Sequence, residues 1–233
     1  MAIDDIYTMS LLHADGADAS TTFTDESGKA WTYHGNAQID TAQSKFGGAS
    51  GLFDGTGDWI DTPDHDDFNV GNGNFTIDFW IRRNSTGAYV RICGQKDASD
   101  TNTTRSVNIA IPAANTLYVD CYANTTQYKI DGTTAITDTN TWHHVEVGRS
   151  GATLYLFLDG TLEGTVNIGA ATINNSASTF SIGRQGAYNS QYFNGWVDEF
   201  RFTKGVARHT ANFTPPTVAY APPGRPSQAI TFF

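Results

Sequence analysis

Between Phe75 and Arg82 every second residue is large and apolar: Phe75, Ile77, Phe79 and Ile81. A two-residue period puts all four on one face of a β-strand, and that face has to be buried. The same signature recurs along the chain. The runs Trp142 to Arg149, Leu154 to Leu158 and Thr161 to Val166 are separated by Ser150-Gly151 and by Asp159-Gly160. Asp-Gly between two such runs is a strong hairpin signal, so these read as three consecutive antiparallel strands. Further strands are expected at 49–53, 59–62, 89–94, 106–111, 116–122, 127–130, 179–182 and 195–202, with Gly, Asn, Asp and Ser punctuating the gaps. No stretch of ten or more residues has a 3.6-residue apolar period. Helix is expected to be nearly absent, with one short helical turn at Gly205–His209.

This spacing is that of an all-β, two-sheet antiparallel sandwich, and 233 residues suit one such domain. Five of the seven prolines (Pro215, Pro216, Pro222, Pro223 and Pro226) lie in the last 19 residues. Proline fixes φ and lacks an N–H donor, so residues 1–216 are expected to form the domain and 217–233 an extended arm.

The net charge of −10 lacks the basic surface that displaces phosphate counterions, which argues against nucleic-acid partners. No run of about 18 apolar residues exists for a bilayer, and Met1–Ile6 has neither a basic nor an apolar signal region. The sequence therefore predicts no membrane insertion and no signal peptide. The two cysteines, Cys93 and Cys121, lie in apolar strand contexts and read as buried thiols, with a single disulfide as the open alternative.

Four groups of segments, in order, resemble the laminin-G-like branch of the concanavalin A-like lectin/glucanase jelly rolls, especially copies in bacteriophage structural proteins. They are Leu11–Gly16 with Thr22–Asp25; Lys45–Ser50 running into Phe53–Ile60; the Phe75–Ile81 strand with Trp142–Val145 and Leu156–Gly160; and Asp198–Arg201 with Lys204–Pro216. The resemblance covers residues from about 10 to 216 and implies two packed, curved antiparallel sheets. It implies less about function, since one fold hosts lectins, hydrolases and structural modules.

Retaining glycoside cleavage needs two carboxyl groups about 5–5.5 Å apart. The chain has only four glutamates, Glu26, Glu146, Glu163 and Glu199, with no Glu-x-Asp-x-Glu pattern. The nearest pair, Asp198-Glu199, is expected on opposite faces of its strand. The protein therefore reads as non-catalytic. His143-His144 should likewise diverge, one imidazole inward and one outward, so a shared metal is not expected; the resemblance gives this Trp-His-His-Val strand a packing role.

Calcium accepts carboxylate and carbonyl oxygens alike. The resemblance implies a structural calcium, and carried over residue by residue it points to Asp15, Asp198 and the Gly55 carbonyl, against the alternative that the acidic loops are ordinary turns. Sugar recognition would use an aromatic to stack on a pyranose and polar groups to orient hydroxyls. Candidates lie on two loops, Asp97, Asp100 and Asn102 on one and Tyr188 and Tyr192 on the other. The arm ends in Ile230, Phe232 and Phe233, which are expected to dock on a neighbouring subunit, a particle surface or the chain's own sandwich. Together these point to a phage virion module with a lectin-like surface, assembled in the host cytoplasm and released by lysis. A free-standing lectin and a glycan hydrolase or lyase are the alternatives.

Overall fold

The computed structural model describes residues 5–96, 101–186 and 190–224. They form fifteen strands: β1 (Thr8–Leu12), β2 (Thr32–His34), β3 (Gln38–Asp40), β4 (Ser50–Asp54), β5 (Trp59–Thr62), β6 (Phe75–Arg83), β7 (Val90–Lys96), β8 (Arg105–Ile111), β9 (Thr116–Ala123), β10 (Thr126–Ala135), β11 (His143–Ser150), β12 (Thr153–Leu158), β13 (Thr161–Asn167), β14 (Phe180–Ile182) and β15 (Asn194–Lys204). Two 3-10 turns, Asp66–Phe68 and Asn102–Thr104, are the only helical elements among the described residues. No described helix is long and apolar enough to cross a membrane.

One sheet has eight strands in the order β13-β12-β11-β6-β15-β4-β3, with β1 paired to β15; the other has seven, β10-β9-β8-β7-β14-β5-β2. All neighbouring strands are antiparallel, as a jelly-roll sandwich requires. Phe75, Ile77, Phe79 and Ile81 are fully buried, and Val107, Ile109, Leu117 and Val119 of the other sheet join them in one core. Phe68 stacks on Phe180 at 4.9 Å and meets Phe202 edge-on at 5.1 Å. Each such ring contributes about 1.5–3 kcal/mol on burial. Both thiols are buried and unpaired.

The hairpin between β12 and β13 turns at Asp159 (φ 50°) and Gly160 (φ 75°), the left-handed pair that a two-residue turn requires. A side chain at Gly160 would lie 2.0 Å from the Phe213 carbonyl oxygen, so glycine lets the C-terminal segment approach. That segment, Gly205–Tyr220, forms no helix and runs as a strap over the outer face of the eight-stranded sheet. Its side chains reach outward partners instead of coiling, with Arg208 bound to Asp5 and His209 to Glu146. Tyr220, past residue 216, is packed on the sandwich at 7% exposure.

β15 departs from simple alternation. Asn194–Val197 pairs with β4, Phe200–Thr203 with β1, and a register shift against β6 falls between Asp198 and Arg201. The extra residue is a β-bulge, with Glu199 at φ 53°. The bulge turns both carboxylates to the outer side: Asp198 accepts the Lys45 amide beside Trp80, and Glu199 accepts the Tyr220 amide from the strap. The expectation that they diverge across the strand is thereby corrected.

Candidate functional site

Strands β7 to β10 direct Ile109, Val119 and Ile130 inward, so alternation aims Asn108, Asp120 and Gln127 at the outer face of the seven-stranded sheet. These residues make a continuous polar ladder. Arg91 on β7 donates to the Asn108 side-chain oxygen at 3.1 Å, Asn108 donates to Asp120 Oδ1 at 2.9 Å, and Gln127 donates to Asp120 Oδ2 at 2.6 Å. Gln127 also donates to the Tyr118 hydroxyl at 3.0 Å, and Arg105 donates to that of Tyr122 at 3.1 Å. The loop after β14 is tied to the same ladder, since Arg91 donates to Gln191 and Gln185.

Asn108 and Asp120 are 1% and 6% exposed, whereas Gln127 and Lys129 stand in solvent. The floor is thus recessed and internally bonded, and each carboxylate oxygen keeps acceptor capacity. Burial and the Asp120 charge push the Tyr118 phenol upward, keeping it protonated as a donor. A fixed carboxylate, amides and phenol edges on a rigid sheet suit a ligand rich in hydroxyl groups.

A second feature lies on the other sheet, at the bulge. Asp198 Oδ2 accepts from the Lys45 and Phe46 amides at 2.7 and 3.2 Å, while its Oδ1 is buried without a partner. The Asp15 carboxylate lies against Gly47, where an added Cβ would be 2.0 Å from an oxygen. Burial first, then the Glu199 and Asp15 charges, push the Asp198 carboxyl up to about 7. Burial and Glu199 likewise raise that of Asp15. One buried carboxylate with an orphan oxygen, beside the solvent-exposed Asp15 carboxylate whose charge bears on it, fits a hard divalent cation. No group of three or more His, Cys, Asp or Glu among the described residues could hold a metal ion, so carbonyls and water would complete the set. Gly55 is not brought there. It abuts Asn194, four residues before Asp198 on β15 and roughly 13 Å away at strand rise. The turn at Gly47-Gly48 occupies that place.

Three of the four glutamates are withdrawn from solvent or fully engaged. Glu146 and Glu199 are at most 1% exposed, and Glu163 accepts four hydrogen bonds from Thr133 and Thr134. His143 lies between Asp138 and Asp159 at the rim, while His144 is sealed under the strap against the Tyr220 hydroxyl. The two imidazoles diverge, one to the rim and one under the strap.

Asp97, Asp100, Tyr188, Ile230, Phe232 and Phe233 lie outside the described residues. Asn102 is in the second 3-10 turn, where its carbonyl accepts from Asn174. Tyr192 stacks near Trp59 at 5.9 Å, and the Trp59 ring is itself sandwiched between His34 at 4.3 Å and Arg184 at 3.7 Å. Sequence reasoning missed Arg91, Asn108, Asp120 and Gln127. For the last three the signal was present: Asn108, Asp120 and Gln127 hold alternate positions of three successive strands whose intervening positions are mostly apolar.

A family model described as the concanavalin A-like lectin/glucanases superfamily matches residues 54–209. No curated protein matches the chain. Among solved structures, the binding domain of Paraclostridial Mosquitocidal Protein 1 superimposes with a TM-score of 0.65 at 16% identity, over 86% of this chain and 50% of that one. The botulinum neurotoxin serotype D/C VPI 5993 binding domain gives 0.65 at 18% identity, over 86% and 50%. This chain spans half the length of either. Domain 4 of AbnA, a GH43 extracellular arabinanase from Geobacillus stearothermophilus in complex with arabinotriose, gives 0.62 at 16% identity, over 87% and 94%.

Proposed function

We propose that this chain, which belongs to the concanavalin A-like lectin/glucanase superfamily, is a non-catalytic module that binds glycans on the outer face of its seven-stranded sheet. The observation that carries this is the Arg91–Asn108–Asp120–Gln127 ladder, a preorganised polar floor crossing four strands. Neighbouring strands lie about 4.8 Å apart, so the ladder extends roughly 14 Å, enough for a short oligosaccharide laid across the strands. The relatives of like fold are mostly binding domains, and one of them is bound to arabinotriose. The sealing of Asp198 and Glu199 supports the absence of glycoside cleavage. Binding of an array glycan with micromolar strength, lost on Gln127→Ala, tests the reading. Turnover of any polysaccharide would replace it by the hydrolase or lyase alternative.

The finer proposal is a virion role: a capsid-decoration, head-fibre or tail-fibre-associated module, attached to other virion proteins or to its own subunits through the arm that ends in Ile230, Phe232 and Phe233. It rests on the resemblance of the four groups of segments, taken jointly, to copies in bacteriophage structural proteins. A chain ending at Ala221 keeps Tyr220 and its contacts, so it should melt normally yet lose particle attachment. Normal attachment, or failure of the full chain to copurify with particles, would return the reading to a free-standing lectin. A calcium held by Asp15 and Asp198 completes the proposal as a structural ion.

A further inference from the structure

The strap Gly205–Tyr220 closes the eight-stranded sheet over charged groups as well as apolar ones. Asp78 comes from β6, His144 and Glu146 from β11, and Arg201 from β15; Asp78, His144 and Glu146 are at most 1% exposed. Arg201 grips Asp78 with two nitrogens, at 3.0 and 2.5 Å, and lies 3.7 Å from the centre of the Tyr220 ring. The Tyr220 hydroxyl meets His144 Nε2 at 3.0 Å. Further along the strap, His209 Nδ1 sits 2.9 Å from Glu146 and stacks on Phe213, which in turn meets His144 edge-on. Arg208 joins the strap to Asp5 and Thr203.

His144 is the group this closure cannot accommodate once charged. It is 0% exposed, and its Nδ1 has no hydrogen-bond partner. A proton there would be an extra buried charge without an acceptor, in a space already holding Arg201, with Asp78 4.0 Å away and committed to that arginine and Asp159 engaged by His143 and by the His144 amide.

We propose that the strap is a proton-released cover: protonation of His144 frees residues 205–220 from the sheet while the sandwich beneath stays folded. The strap is the outermost layer, whereas β6 is held by β11 on one side and β15 on the other, so release is a local opening. Burial pushes His144 down to about 4 from 6.5, so the open form binds the proton more readily and gains population as pH falls between those values. Asp78, held low by Arg201, and Asp5, held low by Thr8 and Arg208, add to release only at stronger acidity. Glu146, raised by burial, works in the opposite direction and blunts the response.

Hydrogen exchange on the full chain tests this through the amides of Arg208, Phe213 and Tyr220, which are bonded to Thr76, Gly160 and Glu199. Between about pH 7.5 and about pH 4.5, their protection factors should fall by about tenfold or more. The amides of β6 should keep theirs. A parallel fall throughout the sandwich, or none in the strap, overturns the proposal. His144→Gln cannot take up the proton and should abolish the response; a retained response contradicts it. Tyr220→Phe should raise strap exchange already at neutral pH, and unchanged protection there would show that the His144 contact does not hold the strap. His209→Gln should leave the pH response in place, and its loss would make His209 the sensor instead.

Discussion

Asn108 and Asp120 face each other directly across the β8–β9 pair and share a 2.9 Å hydrogen bond on the solvent side of a sheet whose other side is aliphatic. A buried amide and carboxylate so placed hold each other's orientation, and Arg91 and Gln127 extend the arrangement by one strand on either side.

Removing the carboxylate separates the structural from the binding role. Asp120→Ala leaves the Asn108 amide buried without its acceptor, which should cost about 1–3 kcal/mol in denaturant melts. Gln127→Ala, at an exposed position, should stay within about 0.5 kcal/mol of the parent yet lose glycan affinity. Equal affinity in the Gln127 variant would remove the ladder from the ligand site.

Calcium should raise the melting temperature and chelation should lower it, because a ligand bound only by the native state stabilises that state. Asp198→Ala should abolish the sensitivity by removing the carboxylate with the orphan oxygen. Melting curves that ignore calcium in both proteins would exclude the ion.

Much of the fold was legible because it is local. The period of Phe75–Ile81 and the Asp159-Gly160 turn each encode their own geometry, and the structure returns both. Short strands such as β2 and β3 carry too few residues for a period to show, and they form because neighbours already supply an edge. The bulge at Glu199 was illegible for another reason. It falls where β15 passes from pairing with β4, about 145 residues before it, to pairing with β1, about 190 residues before it, a relation that no local pattern encodes. The polar face lay in plain alternation, but the ladder emerges only when Asn108, Asp120 and Gln127 are seen side by side.

His143 gives a pH signature of its own. Its hydrogen bond to Asp159 at 2.7 Å, with the nearby charges of Asp159 and Asp138, raises its pKa above the ordinary 6.5. A raised folded-state pKa contributes stability that is fully present below the unfolded value and is lost as pH rises through the folded one. His143→Gln should therefore destabilise the protein more in mildly acidic buffer than in alkaline buffer. A cost that does not change with pH would mean that the imidazole is not charged in the native state.

Both thiols should be inert in the native protein. Cys93 is fully buried, and burial pushes its thiol far up and that of Cys121 up to about 12, so almost no thiolate forms at neutral pH. A thiol reagent should label them only at the rate of unfolding. Rapid labelling at neutral pH without denaturant would contradict the buried placement.

Glycan binding on the outer face of the seven-stranded sheet is tested by a glycan array probed with the parent chain and with Gln127→Ala. The parent should bind at least one hydroxyl-rich oligosaccharide with micromolar strength and the variant should lose that binding, with both proteins equally folded. Binding that survives in the variant, or no binding by the parent to any glycan, would contradict it.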